Sequence, residues 1–193
     1  LFFPAPLVIS IMDLGYLHLP EQFTKPIYWK LRLWTSLSIR RAKHILAISK
    51  ATKNDIIKQY PVKPSRVTVT YPGYDKRRFH PGVKSIESEK LRQKYRIKGK
   101  YLLFLSTLKP SKNIEGLIEA YSLLVKDFPD LQLVIAGRKG WLYQSIYDWA
   151  QQLELKEKVI FTDFLPNEDL PALMKGAEVF VMPSFWEGFG IPV

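Results

Sequence analysis

The residues best suited to chemistry stand at the end of the chain, in Pro183-Ser184-Phe185-Trp186-Glu187-Gly188-Phe189-Gly190-Ile191-Pro192-Val193. Glu187 offers one carboxylate, able to accept hydrogen bonds from sugar or ribose hydroxyls. Gly188 and Gly190 carry no Cβ, so the backbone there can approach a ligand closely. The stretch follows a short apolar run, Val179-Phe180-Val181-Met182, which reads as a buried parallel strand. Open α/β sheets bind ligands at loops beyond the carboxyl ends of their strands. Two glycines make a weak motif, and the same spacing fits a tight strand-to-helix turn with a solvated glutamate.

A second candidate is the polar loop Thr107-Leu108-Lys109-Pro110-Ser111-Lys112-Asn113, between a predicted strand and a predicted helix. A helix N-terminus presents unpaired N–H groups and a positive dipole end, so phosphate binds there readily. Lys112 adds a cation in the expected first turn, where the dipole alone disfavours it; an anion is what such a cation would serve. A solvated lysine is the plainer reading. Gly137-Arg138-Lys139-Gly140 ends the next strand on the same expected sheet edge, and Asp163-Phe164-Leu165-Pro166 ends the one after.

The elements that must position these residues form two α/β series. In the first, residues 7–12, 44–49 and 67–71 are short, apolar and β-branched, and read as strands. Helical patterns separate them, over residues 27–43 and 50–60. Ser49 is placed to cap the second of these helices and Pro61 to end it. In the helix over 27–43, Ile27, Leu31, Trp34 and Ser38 share one face. That face predicts core packing, although Trp29, Trp34 and the cations Lys30, Arg32, Arg40, Arg41 and Lys43 also suit an anionic membrane surface. Residues 76–100 hold Pro81, Gly82, Gly99 and many charges, with a helix over about 88–95, and read as a connection between domains.

The second series starts at Tyr101, with strands over 101–105, 131–136, 159–161 and 179–182. Its first helix puts Ile114, Leu117, Ile118, Tyr121, Leu124 and Val125 on one face, and its second buries Ile146, Trp149, Ala150 and Leu153. Asn167 is the expected cap of a third, short helix that Gly176 stops. Strand–helix alternation of this kind makes parallel, doubly wound sheets.

Composition bounds the rest. The 193 residues are 47% hydrophobic and 24% charged, an ordinary globular mixture. Without cysteine there are no disulfides or thiolate metal sites, and a reducing cytoplasmic setting is permitted. His18, His44 and His80 lack metal-site spacing, so no metal is expected. The formal charge of +11 favours anionic partners such as nucleotide phosphates or acidic lipid. The apolar start, residues 1–12, is broken by Pro4 and Pro6 and lacks a charged leader, so it does not read as a signal peptide.

The motif P-S-F-W-E-G-F-G-I-P-V resembles the donor-site signature of the family 4 retaining glycosyltransferases, also called group 1, which have the GT-B fold. In that family two glutamates stand eight positions apart. Glu187 matches the first; the second falls two positions beyond Val193. With Leu rather than Met at position 1, this suggests a piece of a longer protein. Ser106-Thr107-Leu108-Lys109-Pro110-Ser111-Lys112-Asn113 resembles the family's G-T-L-E-P-R-K-N, with Ser106 for Gly and Ser111 for Arg. The segments L-V-I-A-G-R-K-G-W at 133–141 and D-F-L-P-N-E-D-L at 163–170 also match. Val8-Ile9-Ser10-Ile11-Met12-Asp13 resembles the acceptor-side V-V-T-I-H-D, with Met12 where the family has His. A thioether can neither donate a charged hydrogen bond nor take a proton. His18, six residues on, is a candidate for reaching the cleft in its stead.

The resemblance implies two Rossmann-like domains with parallel sheets, both incomplete. Residues 1–75 would be the later half of an acceptor domain, 76–100 the connection, and 101–193 the donor domain. It implies transfer of a hexose, with mannose favoured, from a UDP- or GDP-type sugar to a saccharide or lipid-linked acceptor with retention of configuration. No cofactor or metal is implied. Glu187 would be the catalytic-site carboxylate, holding sugar hydroxyls. Lys112, Gly137 and Arg138 would meet the diphosphate, Arg138 or Lys139 replacing the missing arginine. Phe164 and Leu165 would flank the base, and Gly188, Phe189 and Gly190 would position the donor. The expected location is cytoplasmic, at the inner face of the membrane if the basic helix touches it. A nucleotide-sugar binder without catalysis is the alternative, and Met12 favours it. A nucleic-acid-binding domain would fit the charge but has no supporting motif.

Overall fold

The computed structural model describes residues 5–82 and 85–193, with side chains in residues 85–88 excepted. The first residues of the apolar start, 1–4, therefore lie outside the described part. The chain divides into two compact units: residues 1–73 with 186–191, and residues 74–185 with 192–193.

The first unit holds a three-stranded parallel sheet in the order β1-β2-β3, made of β1 (Val8–Ile11), β2 (His44–Ala47) and β3 (Val67–Val69). Parallel neighbours need a crossover, and here helices supply it. After a short α1 (Gly15–His18), α2 (Lys25–Arg41) joins β1 to β2 and α3 (Lys50–Gln59) joins β2 to β3. The Ser49 hydroxyl accepts from the Thr52 N–H at 3.0 Å, capping α3 as the sequence predicts. Leu14, Ile39, Ile45, Ala47, Ile56 and Val67 form the core.

The face of α2 expected in that core is not there. Trp34 is 49% and Ile27 50% exposed, and Leu31 is also exposed; α2 buries Ile39 alone and half-buries Tyr28. Periodicity found a stripe on this helix, but the helix packs through a different one.

The second unit holds a four-stranded parallel sheet, ordered β6-β5-β4-β7. Its strands are β4 (Tyr101–Leu105), β5 (Gln132–Ala136), β6 (Val159–Asp163) and β7 (Val179–Phe180). The central strands register as Leu103 with Val134 and Phe104 with Ile135, and β5 is buried throughout. One face packs on α5 (Ile114–Leu124) and α6 (Gln144–Gln152) through Leu117, Ile118, Tyr121 and Ile146. The other packs on α4 (Ser85–Tyr95) and α7 (Leu170–Gly176) through Leu91, Ala172 and Leu173. The charged connection thus contributes Leu91 and Ile97 to this core.

Several expectations fail in detail. Leu124 and Trp149 are exposed rather than packed in the core with the rest of their apolar stripes. Strand β7 is a sheet edge, with Val179 exposed rather than buried. Asn167 does not cap α7: Asp169 stands at that position, without a side-chain cap bond, and instead accepts from Lys94 Nζ and Tyr95 OH, both at 2.6 Å. Gly176 belongs to α7, where a Cβ would meet the Tyr101 hydroxyl at 2.6 Å.

Candidate functional site

At the carboxyl edge of the second sheet, two loops are bonded to each other. The Leu108 N–H donates to the Arg138 carbonyl at 2.8 Å and the Gly140 N–H to the Leu108 carbonyl at 2.9 Å. This close approach dictates glycine. Gly137 has φ +144°, and a Cβ there would lie 1.7 Å from the Ser106 carbonyl oxygen. The Gly137 N–H is taken by the Asp163 carbonyl at 3.0 Å, which brings in the loop after β6.

Lys112 is not in the first turn of α5. It ends a separate 3-10 turn, Pro110–Lys112, and Asn113 then turns left-handed, with φ 53°, before α5 begins. Asparagine tolerates that conformation better than most residues. Its side-chain amide donates to the Pro183 carbonyl at 3.3 Å, and the Phe185 N–H donates to the Ser111 carbonyl at 3.0 Å. The strand-end residues before Glu187 are thereby tied to the loop that carries Lys112.

Of the two cations beyond β5, Lys139 is committed elsewhere. Its ammonium lies 3.5 Å from the Asp163 carboxylate and over the rings of Tyr143 and Tyr147. Arg138 is exposed, with its guanidinium 4.5 Å from the centre of the Phe164 ring. Phe164 and Leu165 part company: Phe164 is 58% exposed, whereas Leu165 is 4% exposed and belongs to the core. Leu165 therefore has only its backbone to offer a base, while Phe164 keeps its ring exposed. Burial pushes the Tyr147 hydroxyl up to about 12, reinforced by the Asp163 carboxylate beside it, to which it donates at 3.3 Å.

Glu187, Gly188, Phe189 and Gly190 pack with the first unit. The imidazole of His18 stacks on the indole of Trp186, and its Nε2 is 3.0 Å from Asp55 Oδ2. Thr52 Oγ1 lies 3.4 Å from both the Gly188 and the Met12 carbonyl oxygens, and Phe189 lies against Tyr71. A Cβ on Gly188 would come within 2.1 Å of the Met12 carbonyl oxygen. Met12 therefore serves through its backbone, while its side chain is exposed. The Asp13 carboxylate accepts from the Gly15 N–H at 2.8 Å and fixes the turn into α1. Glu187 is half-buried; the Trp186 indole N–H beside it is buried and has no hydrogen-bond partner among the described residues.

The structure thus brings Gly137, Arg138 and Phe164 together on loops of one sheet edge, with Lys112 on the neighbouring loop. The glutamate and its glycines form a separate group. Sequence reasoning named His18 but missed Asp55 and Trp186 as its company, and Thr52 as the neighbour of the Met12 and Gly188 carbonyls, since no local pattern links them. Among the described residues no group of His, Cys, Asp or Glu is arranged to hold a metal ion, and no helix is long and apolar enough to cross a membrane.

Comparison with known proteins decides the family. The profile described as "Glycosyl transferases group 1" matches residues 87–193, and that described as "Glycosyltransferase Family 4" matches residues 3–78. The chain belongs to the group 1 glycosyltransferases. It is 29% identical over 191 residues to O-antigen chain mannosyltransferase B of Escherichia coli, covering 96% of this chain and 49% of that protein. It is 28% identical over 188 residues to mannosylfructose-phosphate synthase of Agrobacterium fabrum, covering 93% and 41%. This group 1 chain spans about half the length of the curated relatives it matches. Anabaena HepE, solved in complex with UDP and glucose, superposes with a TM-score of 0.76 at 24% identity, over 93% of this chain and 46% of that one. Sucrose-phosphate synthase from Thermosynechococcus elongatus superposes at 0.79 with 18% identity, over 98% and 47%. The fold is GT-B.

Proposed function

We propose that the full-length protein transfers a hexose, mannose by preference, from a nucleotide diphosphate sugar to an acceptor hydroxyl with retention of configuration. The observation that carries this is the bonded pair of loops at the carboxyl edge of the second sheet, where Gly137 leaves bare backbone beside Arg138 and Lys112 lies on the adjoining turn. The names of the relatives support the sugar, and the UDP bound by HepE supports the donor class.

In the reaction, the acceptor oxygen bonds to the anomeric carbon as the bond from that carbon to the diphosphate oxygen breaks. The diphosphate leaves with the electron pair, and the hydroxyl proton passes to its oxygen. Negative charge therefore grows on the diphosphate, and fixed cations aimed there stabilise it by about 3 kcal/mol for each well-placed donor. Lys112 and Arg138 have that role, Phe164 takes the base, and Glu187 holds sugar hydroxyls so that the anomeric carbon is aligned. No protein nucleophile is invoked.

The test is turnover of GDP-mannose and UDP-glucose by the full-length protein. Transfer or hydrolysis of either supports an enzyme. Binding of both without turnover would support the binder-only reading that Met12 favours.

A further inference from the structure

The first unit carries a cleft of about 500 Å3 between α2 and the turn after α3. One wall is a single helix face: Trp29, Arg32, Leu33, Ser36 and Arg40 stand at i, i+3, i+4, i+7 and i+11. Tyr60 and Pro61 line it from the end of α3. Among the described residues no carboxylate lines the cleft, and α2 has five cationic residues and no acidic one.

Arg32 is held in place. Its Nη1 donates to the Tyr28 hydroxyl at 2.9 Å, and its guanidinium lies 5.5 Å from the centre of the Trp29 ring. Neither contact neutralises it. An anion lying between two cations of one cleft is attracted by both. A guanidinium also matches phosphate oxygens two at a time. Arg32 and Arg40 are eight residues apart, about 12 Å along the helix, which suits an extended acidic group better than one small ion. Ser36 and Gln59 add polar groups, while Leu17, Leu33, Pro61 and the rings of Tyr28, Trp29 and Tyr60 give an apolar and aromatic wall, on which the indole of Trp29 is 61% exposed. Such a surface takes hydrocarbon or the flat face of a sugar.

We infer that this cleft binds a diphosphate ester with an apolar body, its phosphates between Arg32 and Arg40 and its body against Trp29. The site lies wholly within the first unit and is independent of the donor loops. The probes are farnesyl diphosphate and inorganic pyrophosphate, titrated calorimetrically into the full-length Lys112→Ala variant so that donor-loop binding is suppressed. Farnesyl diphosphate should bind, more tightly than pyrophosphate, and quench a fluorescence component that Trp29→Phe removes. Arg32→Gln and Arg40→Gln should each weaken it at least ~10-fold, the loss expected for one charged hydrogen bond. Ser36→Glu, which adds an anion without removing a contact, should do the same. Affinity unchanged in all three variants, binding abolished by Lys112→Ala itself, pyrophosphate binding as tightly as the ester, or Trp29 shielded from acrylamide before any ligand is added would each overturn the assignment.

Discussion

The imidazole of His18 lies flat against the indole of Trp186, ring centres 3.6 Å apart and planes 13° from parallel, while Asp55 holds its Nε2. The stack anchors the segment that begins next to Glu187. Stacked aromatic pairs are worth about 0.5–1.5 kcal/mol beyond the area they bury. His18→Ala should therefore destabilise the protein by about 1–2 kcal/mol in urea titration and shift Trp186 emission to the red. Because Glu187 then sits less firmly, the donor KM should rise. His18→Phe should restore stability but not the bond to Asp55. An unchanged emission spectrum in His18→Ala would detach Trp186 from this role.

Gly137 should not tolerate a side chain. At φ +144° an L-residue is strained, and the atom a Cβ would strike is a backbone carbonyl oxygen that no rotamer change can move. Gly137→Ala is expected to cost more than about 2 kcal/mol and to separate the two loops. Hydrogen exchange at the Leu108 and Gly140 amides reports that directly, since both should lose protection. Gly73→Ala is the control, because nothing lies within 4 Å of a Cβ at that position.

The link between α4 and α7 predicts a response to acid. Burial alone would raise the Asp169 carboxyl, but hydrogen bonds from Lys94 and Tyr95 outweigh it and hold the group below the ordinary carboxylate range. A depressed folded-state pKa gives stability that is present above the unfolded value and lost as pH falls through the folded one. The urea midpoint of the wild type should thus exceed that of Asp169→Asn at pH 7, and the gap should close below about pH 4. A gap that stays constant down to pH 2.5 would contradict the assignment.

Much of this was readable in the sequence where local physics decides. The apolar run at 101–105 reads as a buried strand and forms one, and the stripe of Ile114, Leu117, Ile118 and Tyr121 reads as a core face of a helix and is one. The Ser49 cap was equally local. What escaped depended on distant partners. A stripe on α2 does not say which stripe the sheet will accept, so Ile27 and Trp34 were misplaced and Ile39 was not singled out. Phe164 and Leu165 are both large and apolar, and only the fold decides that Leu165 enters the core. Asn167 met the rule for a cap, but Asp169 takes that place and is engaged by Lys94 and Tyr95. The family motifs fall on loops that follow β4, β5 and β6; they could not show that a left-handed residue, Asn113, separates Lys112 from α5.

Arg138 and Phe164 should act as a pair. The guanidinium over the ring is expected to order both. Phe164→Ala should weaken nucleotide binding by about 10-fold, the scale of one lost base–aromatic stack, while leaving inorganic pyrophosphate affinity unchanged. Arg138→Ala should weaken both. Equal losses of nucleotide and pyrophosphate in Phe164→Ala would remove it from the base.

The most direct test is calorimetric titration of GDP and UDP into the full-length protein and its Lys112→Ala variant. A charged hydrogen bond to phosphate is worth about 1.5–3 kcal/mol. At least one nucleotide should therefore bind the wild type and bind the variant about 10- to 100-fold more weakly. Equal affinity in the two proteins would contradict the placement of the donor diphosphate at the carboxyl edge of the second sheet.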